Sequence, residues 1–504
     1  MTFKSFVYAI IPTFSQKWLL RIEQSAIGYR FARGAFWSFA GAVIVRGFGL
    51  LASIIVARIL GKVGFGELGV IQSTVGIFGS FAGFGLGLTS TKYLAEFRTT
   101  NQAKAGRVIV LSNVVAMISG GGAGLVLIIL APWLSNSTLA APHLSKLLQV
   151  SAGLLFLSVL TGAQTGALAG FEAFKTIAWV NILSGVLTLP FQIGGAYWAG
   201  LQGAIWGLVA CTGVNWLLNH FVLRRLAKRA SVPLTFRGCW EEKNILRQFS
   251  LPSFLSSMIS GPIIWISYTI LVNQPSGYAS MGIYNAVLRV KVIPEMIVGM
   301  LLTPLLPMLS EQFAKSDFIS FNKTVNYALA VGLVIVVPIS LIQMAAPMLT
   351  LLPFGRDFQG NHLIVQWLMF QAMLNALISP LTHILASMNR MWFAWKYSLY
   401  WGVLYILFSY LLIPHYGATG LAAAFAITQI LTTLPLIYYV FKYEKSAIRH
   451  VPFFQLTGVV ILFSIISLLS SILFLPAVAA FVGFIVACLF VLRLTGHLKV
   501  INAQ

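Results

Sequence analysis

The chain has 504 residues, 58% of them hydrophobic and only 9% charged, and its 33 lysines and arginines exceed its 11 acids by 22. Apolar runs of ~20 residues recur from end to end, each long enough to cross ~30 Å of hydrocarbon, which excludes a soluble fold and predicts an all-α polytopic membrane protein. A transmembrane barrel is excluded too, because its strands would read as short alternating segments.

In chain order, residues 1–33 form a cytoplasmic N-terminal segment. Pro12 and Lys17 break its apolar run and no cleavage site follows, so it does not read as a signal peptide. From Ile10 to Phe31, Trp18, Leu19, Leu20, Ile22 and Ile27 lie among Lys17, Arg21, Glu23 and Arg30. That pattern suits either an amphipathic helix on the membrane surface or a solvated tail.

Hydropathy then places six spans at 34–60, 68–95, 106–131, 145–170, 176–198 and 203–223. The loop at 224–248 is the longest polar interruption and the natural midpoint. Six more spans follow at 249–272, 281–306, 324–352, 363–388, 395–413 and 418–441. Two additional spans at 453–473 and 477–494 and a tail at 495–504 bring the expectation to about fourteen transmembrane helices.

The basic residues alternate in sides. Twenty-five of the 33 fall on one side, Arg58, Lys62, Lys146 and Arg356 on the other, and four inside spans. The positive-inside rule therefore puts both termini in the cytoplasm, and most of the net charge is topology rather than a nucleic-acid footprint. Cys211, Cys239 and Cys488 are odd in number and lack CxxC spacing, so neither a disulfide nor a metal site is indicated. Asp317 and Asp357 are the only aspartates, and there is no GxxxxGK[ST] loop. Enzyme and cofactor readings have nothing to rest on.

The halves resemble each other. LAGFEAFKTIAWVN (168–181) is followed by Pro190 and GLQGAIWGL (200–208); LASMNRMWFAWKYS (385–398) is followed by Pro414 and GATGLAAAF (417–425). Leu168 and Leu385 are 217 positions apart, as are Gly203 and Gly420. A looser match links 68–97 to 281–313. Six spans per half predict two parallel six-helix repeats, forming an N-lobe at 34–223 and a C-lobe at 249–441. In such folds the cargo site lies between the repeats.

The stretch VARILGKVGFGELGVIQSTVGIFGSFAGFGLGLTSTKYLAEF (56–97), with Ala57, Leu60–Gly61, Phe65–Gly66, Leu68–Gly69–Val70 and the YLAEF end, resembles polysaccharide-biosynthesis flippases. These are the O-antigen and oligosaccharide branch of the multidrug/oligosaccharidyl-lipid/polysaccharide exporter superfamily, and YNAVLRV in the second half fits as well. The resemblance implies translocation of undecaprenyl-pyrophosphate-linked glycans across the bacterial inner membrane. It also implies membrane lipids, a glycan polymerase and chain-length proteins as partners. The last two spans lie outside the twelve-helix pattern.

Four bases fall within spans: Arg46, Lys92, Arg289 and Lys291. A charge at mid-bilayer costs ~3 kcal/mol on insertion scales and persists where it faces an aqueous cavity or a partner. Arg46 lies ~18 Å into its span at 1.5 Å per residue, too deep to snorkel. Arg289 has no acid one helical turn away. Lys291 has Glu295 four residues on, so a neutralising pair competes with a ligand role. Lys92 sits near the end of its span with Glu96 four residues on. Guanidinium forks suit a pyrophosphate, and Lys adds a point charge. Tyr268, Tyr284, Asn285, Gln371 and Asn375 either line a sugar path or pack between helices. Glu295 and His383 are the groups able to couple transport to protons. A drug or metabolite cation antiporter and a non-transporting scaffold for glycan assembly stay open beside the flippase reading. The first calls for an acid-lined cavity, and the second would tolerate neutral replacements.

Overall fold

The computed structural model describes residues 26–236, 238–242, 245, 258–302, 305–388 and 391–443. The amphipathic stretch that begins at Ile10 lies largely outside the described residues, and the spans at 453–494 lie wholly outside them.

Every described crossing is helical, as hydrocarbon requires: a helix satisfies its own backbone groups and needs no water to do so. In the first half α1 is Ala26–Gly83, α2 Leu86–Thr100, α3 Gln102–Trp133, α4 Ser145–Gly170, α5 Phe174–Thr188 and α6 Gly194–Arg229. In the second half α7 is Ser260–Val272, α8 Gly277–Leu301, α9 Leu305–Ala314, α10 Phe318–Ala345, α11 Pro347–Leu351, α12 His362–Ser387 and α13 Met391–Tyr443.

Among the described residues seven continuous helical stretches are long and apolar enough to cross a membrane. Three of them run for 43, 56 and 46 residues, far beyond the ~20 that one crossing needs. Each contains a backbone reversal at one glycine: Gly61 at φ 67°, Gly200 at φ 56° and Gly417 at φ 53°. Glycine reaches this left-handed region without steric cost, so two spans join with almost no loop.

The predicted span 68–95 is interrupted. α1 stops at Gly83, Phe84 and Gly85 take φ of 45° and 65°, and α2 resumes at Leu86. The carbonyl of Gly85 accepts the Thr89 hydroxyl at 3.0 Å. Broken backbone at membrane depth is tolerated where protein or a water-filled cavity surrounds it.

The internal repeat appears in the backbone itself. Gly200 and Gly417, 217 positions apart, share φ and ψ (56°, −136° and 53°, −131°). Three residues later the same close approach recurs. A Cβ on Gly203 would lie 1.9 Å from the Gly195 carbonyl oxygen, and one on Gly420 would lie 2.3 Å from that of Leu412. Leu168 and Leu385, the landmarks read from sequence, are both buried.

The described chain forms two compact units. The first comprises residues up to Ala52, Val75–Pro132 and Ser145 onward to 245. α4 is its central helix, packed on α2, α5 and α6. The second comprises Ser53–Thr74, Trp133–Leu144 and the described residues from 258. Its central helix is α12, which touches α8, α9, α10, α11 and α13.

Within the second unit, the segment 53–74 of α1 is seated along α8. Phe65 packs on Phe354 and Phe358, with ring centroids 6.3 and 6.1 Å away. Arg58 Nε donates to the Pro353 carbonyl at 2.6 Å, and Glu67 lies 2.7 Å from His143 Nε2. At the centre the two backbones meet reciprocally. A Cβ on Gly66 would be 1.9 Å from the Tyr278 oxygen, and one on Gly282 would be 1.9 Å from the Lys62 oxygen. Gly66 and Gly282, like Lys62 and Tyr278, are 216 positions apart. Repeat-related segments thus pack on each other in register and in the same direction, as parallel repeats about an axis along the membrane normal should. Small residues at the crossing allow that approach.

Candidate functional site

The crossing of α1 and α8 positions Arg289. One turn beyond Gly66, a Cβ on Gly69 would press on Asn285, 1.7 Å from its Nδ2. A further turn on, Arg289 Nη2 donates to Gln72 Oε1 at 2.6 Å. These contacts fall at offsets of 216 and 217, so Arg289 meets a residue next to its repeat counterpart, which the 216 offset of this helix pair puts at Ser73. The guanidinium is exposed although it sits well inside a packed helix pair. One of its five donors is engaged by Gln72, and a planar fork remains for a further acceptor. Thr74, next along the segment, accepts Trp265 Nε1 at 2.9 Å and ties it to α7.

Lys291 is placed differently. It is only 5% exposed, its Nζ lies 3.3 Å from Glu295 Oε1, and it stands 5.2 Å from the centroid of the Phe425 ring. Asn375 Nδ2 donates to the same Glu295 oxygen at 3.3 Å, so α8 and α12 share a half-buried polar contact. The neutralising pair that the four-residue spacing allowed is therefore formed, and Lys291 meets Glu295 instead of an open space. His383 is half-buried on α12, and nothing among the described residues joins it to Glu295.

Of the aromatic and amide candidates, Tyr284 is 2% exposed, and its ring meets Tyr268 edge-on at 5.8 Å. Gln371 is buried as well. These side chains pack between helices. Tyr405 joins this cluster, and Ser409 donates to Ser267 at 3.0 Å, extending a buried hydroxyl network from α7 to α13. Sequence reading missed Gln72, Tyr405 and Ser409. The repeat offsets of 216 and 217 lead from Arg289 to Ser73 and Gln72, the one signal in the sequence that points to this place.

The first unit carries the other two bases. Arg46 and Lys92 are both exposed. Lys92 Nζ lies 4.9 Å from the centroid of the Tyr93 ring. Around Arg46, α1 is pressed onto α5: Gly41 meets Ala178, and Gly185 meets Val45 and Phe48. These contacts fix the direction in which Arg46 leaves its helix. Between α1, α2, α4, α5 and α6 lies a cavity of about 650 Å³, lined at its edges by Val45 and Thr91, the residues immediately before Arg46 and Lys92.

Residues 31–313, more than half of the chain, match the family model described as polysaccharide biosynthesis protein. The chain belongs to that family. Among curated proteins it is similar to the lipid III flippase of Escherichia coli K12, with 24% identity over 422 residues covering 79% of this chain and 95% of that protein. Among solved structures it resembles the inward-facing conformation of a multidrug resistance MATE family transporter of the MOP superfamily. That match has a TM-score of 0.67 at 15% identity and covers 81% of this chain and 99% of the other. The lipid II flippase MurJ in an inward closed conformation matches at TM-score 0.64 and 14% identity, over 91% of this chain and 99% of that one. The fold is thus that of MOP transporters, and this polysaccharide biosynthesis family member is a multi-pass membrane protein. The fold is shared by multidrug transporters and lipid flippases, so the site must decide between them.

Proposed function

We propose that the chain moves a polyprenyl-pyrophosphate-linked oligosaccharide across the bacterial inner membrane by alternating access. Both termini would be cytoplasmic, and basic side chains would receive the pyrophosphate. The observation that carries this reading is Arg289, an exposed guanidinium inside the membrane-spanning body, held by a neutral amide and not by an acid. A guanidinium neutralised by a carboxylate would have little left for a phosphate, whereas one steadied by an amide keeps its charge and most of its donors. Arg46 and Lys92 add exposed positive charge on the first unit. A cation exporter calls for the opposite sign. The glycan polymerase and chain-length proteins remain proposed partners of the same process.

The test is reconstitution in proteoliposomes with a fluorescent undecaprenyl-pyrophosphate-linked oligosaccharide, scored by its accessibility to an impermeant reagent. Protein-dependent translocation is expected, competed by unlabelled substrate and unaffected by lipophilic cations. Export of a lipophilic cation with no movement of the glycan lipid would overturn the reading.

Ion coupling is proposed for Glu295. Protonating it would remove the partner of Lys291 and leave a buried ammonium to find another anion, which links proton binding to the state of the site. Glu295→Gln is expected to make translocation insensitive to an imposed pH gradient that accelerates the unmodified protein. An unchanged response to the gradient would assign coupling elsewhere.

A further inference from the structure

The cavity of the first unit has a chemistry distinct from that of the basic residues. Its wall carries no charged side chain; most of its surface is apolar, and its polar groups are hydroxyls, the amides of Asn181 and Asn215 and the thiol of Cys211. Five of the threonines use their single proton on a helix carbonyl. Thr161, Thr165, Thr188 and Thr212 donate to Leu157, Thr161, Ser184 and Leu208 at 2.7–2.8 Å. Thr91 reaches the carbonyls of Gly87 and Gly166, both at 2.9 Å. A hydroxyl whose proton is so committed offers its remaining lone pairs to a donor. Donors come from the amides: Asn215 Oδ1 accepts Asn219 Nδ2 at 2.5 Å, which leaves the Asn215 amide nitrogen to donate. Ser184, 5% exposed, has an Oγ that finds no partner within the protein.

The backbone around the cavity is irregular on two sides. The break at Phe84–Gly85 lies less than two turns before Thr91, and a π turn at Leu189–Ile193 follows Thr188 directly. Interrupted helices at membrane depth are where transporters of this kind build binding sites. α2 and α4 also come together there, since a Cβ on Gly166 would lie 2.1 Å from the Gly87 oxygen.

We propose that this cavity is a sugar subsite, which takes neutral glycan residues through their hydroxyl groups while the basic side chains take the phosphate. The proposal rests on the flippase reading and adds to it a division of labour. A sugar is uncharged and carries hydroxyl donors between apolar C–H faces, which matches an uncharged wall of acceptors set among apolar surface. The volume of about 650 Å³ lies within the ~300–1,000 Å³ of ligand pockets. It is far larger than a dehydrated monovalent cation needs, given that one water occupies ~30 Å³.

Cys211 provides a reporter, because its half-buried thiol is part of the wall, 3.0 Å from the Thr188 hydroxyl. The full chain with Cys239→Ser and Cys488→Ser, shown to flip an undecaprenyl-pyrophosphate-linked tetrasaccharide, would be labelled with a methanethiosulfonate reagent. The tetrasaccharide lipid is expected to slow labelling of Cys211, and undecaprenyl pyrophosphate or sodium alone is not. Thr161→Val with Thr212→Val is expected to weaken that protection by ~2–10-fold per lost hydroxyl, from ~0.5–1.5 kcal/mol per hydrogen bond. Protection by the sugar-free carrier or by sodium, or none by a glycan lipid that the same preparation flips, would overturn the sugar subsite and leave the flippase reading standing. Loss of flipping of every glycan lipid by the unmodified chain would instead remove the flippase reading.

Discussion

Arg289→Ala is expected to reduce translocation of a pyrophosphate-linked glycan by ~10–100-fold, the equivalent of one or two charge-assisted hydrogen bonds at ~1.5–3 kcal/mol. The protein should still insert and fold, because the side chain is exposed and its one bond to Gln72 is to a neutral amide. Arg289→Lys discriminates further. It keeps the charge but replaces a planar fork with a point charge, so it is expected to fall between the two if the fork grips phosphate in a bidentate way. Gln72→Glu would place a carboxylate against the guanidinium and is expected to impair transport nearly as much as Arg289→Ala, without removing the arginine at all. Arg46→Ala is expected to act in the same direction, and Lys291→Ala to cost stability, since it leaves the half-buried Glu295 with only the Asn375 amide as a partner. The measurements are initial flipping rates in proteoliposomes and thermal midpoints of the same preparations. Wild-type rates in both arginine variants would end the phosphate assignment.

Joining position 69 of α1 to position 285 of α8 is expected to arrest transport. The structure seats the segment 53–74 along α8 through the reciprocal Gly66 and Gly282 contact, the Gly69 and Asn285 contact and the Gln72 and Arg289 hydrogen bond. Alternating access needs such a contact to exist in one state and separate in the other. A Cβ on Gly69 would lie 2.6 Å from Asn285 Cγ, so cysteines at the two positions fall within reach of a disulfide. With the native cysteines replaced by serine, the oxidised Gly69→Cys/Asn285→Cys protein is expected to be inactive and to recover on reduction. Gly66→Val attacks the same contact from the other direction. Even the first added carbon would sit 1.9 Å from a backbone oxygen, and overpacking of ~1–3 kcal/mol shifts a two-state equilibrium ~5–150-fold away from the seated form. Full activity in the oxidised double-cysteine protein would show that the contact stays closed throughout the cycle.

Much of the molecule was legible in the linear chain because the relevant physics is local or additive. Window hydropathy finds membrane spans since burial in lipid sums over ~20 residues, and α4 falls at 145–170, where the window put it. The repeat showed as an offset of 217, and the Gly200 and Gly417 reversals turn that numerical coincidence into matched backbone geometry. The excess of bases over acids within the spans was also plain, and the proposed anionic cargo rests on it.

Tertiary structure decided what depends on residues far apart. Periodicity sees a partner four residues along one helix, so it raised the Lys291–Glu295 pair; only the fold brings Asn375 to the same oxygen. No local rule sets Gln72 against Arg289 across 217 positions. Hydropathy averages over a window, so it ran one span straight through Phe84–Gly85, where the helix breaks. It was equally blind to the cavity of the first unit. The scattered threonines of α2, α4, α5 and α6 look unremarkable one by one, each satisfied by its own helix, and line one cavity only once the helices pack. The sequence by itself therefore determined that this is a multi-pass protein with bases within its spans and a repeated body, because those follow from composition, sign and spacing. Which bases are exposed and which is paired, and where an uncharged cavity lies, followed from packing alone.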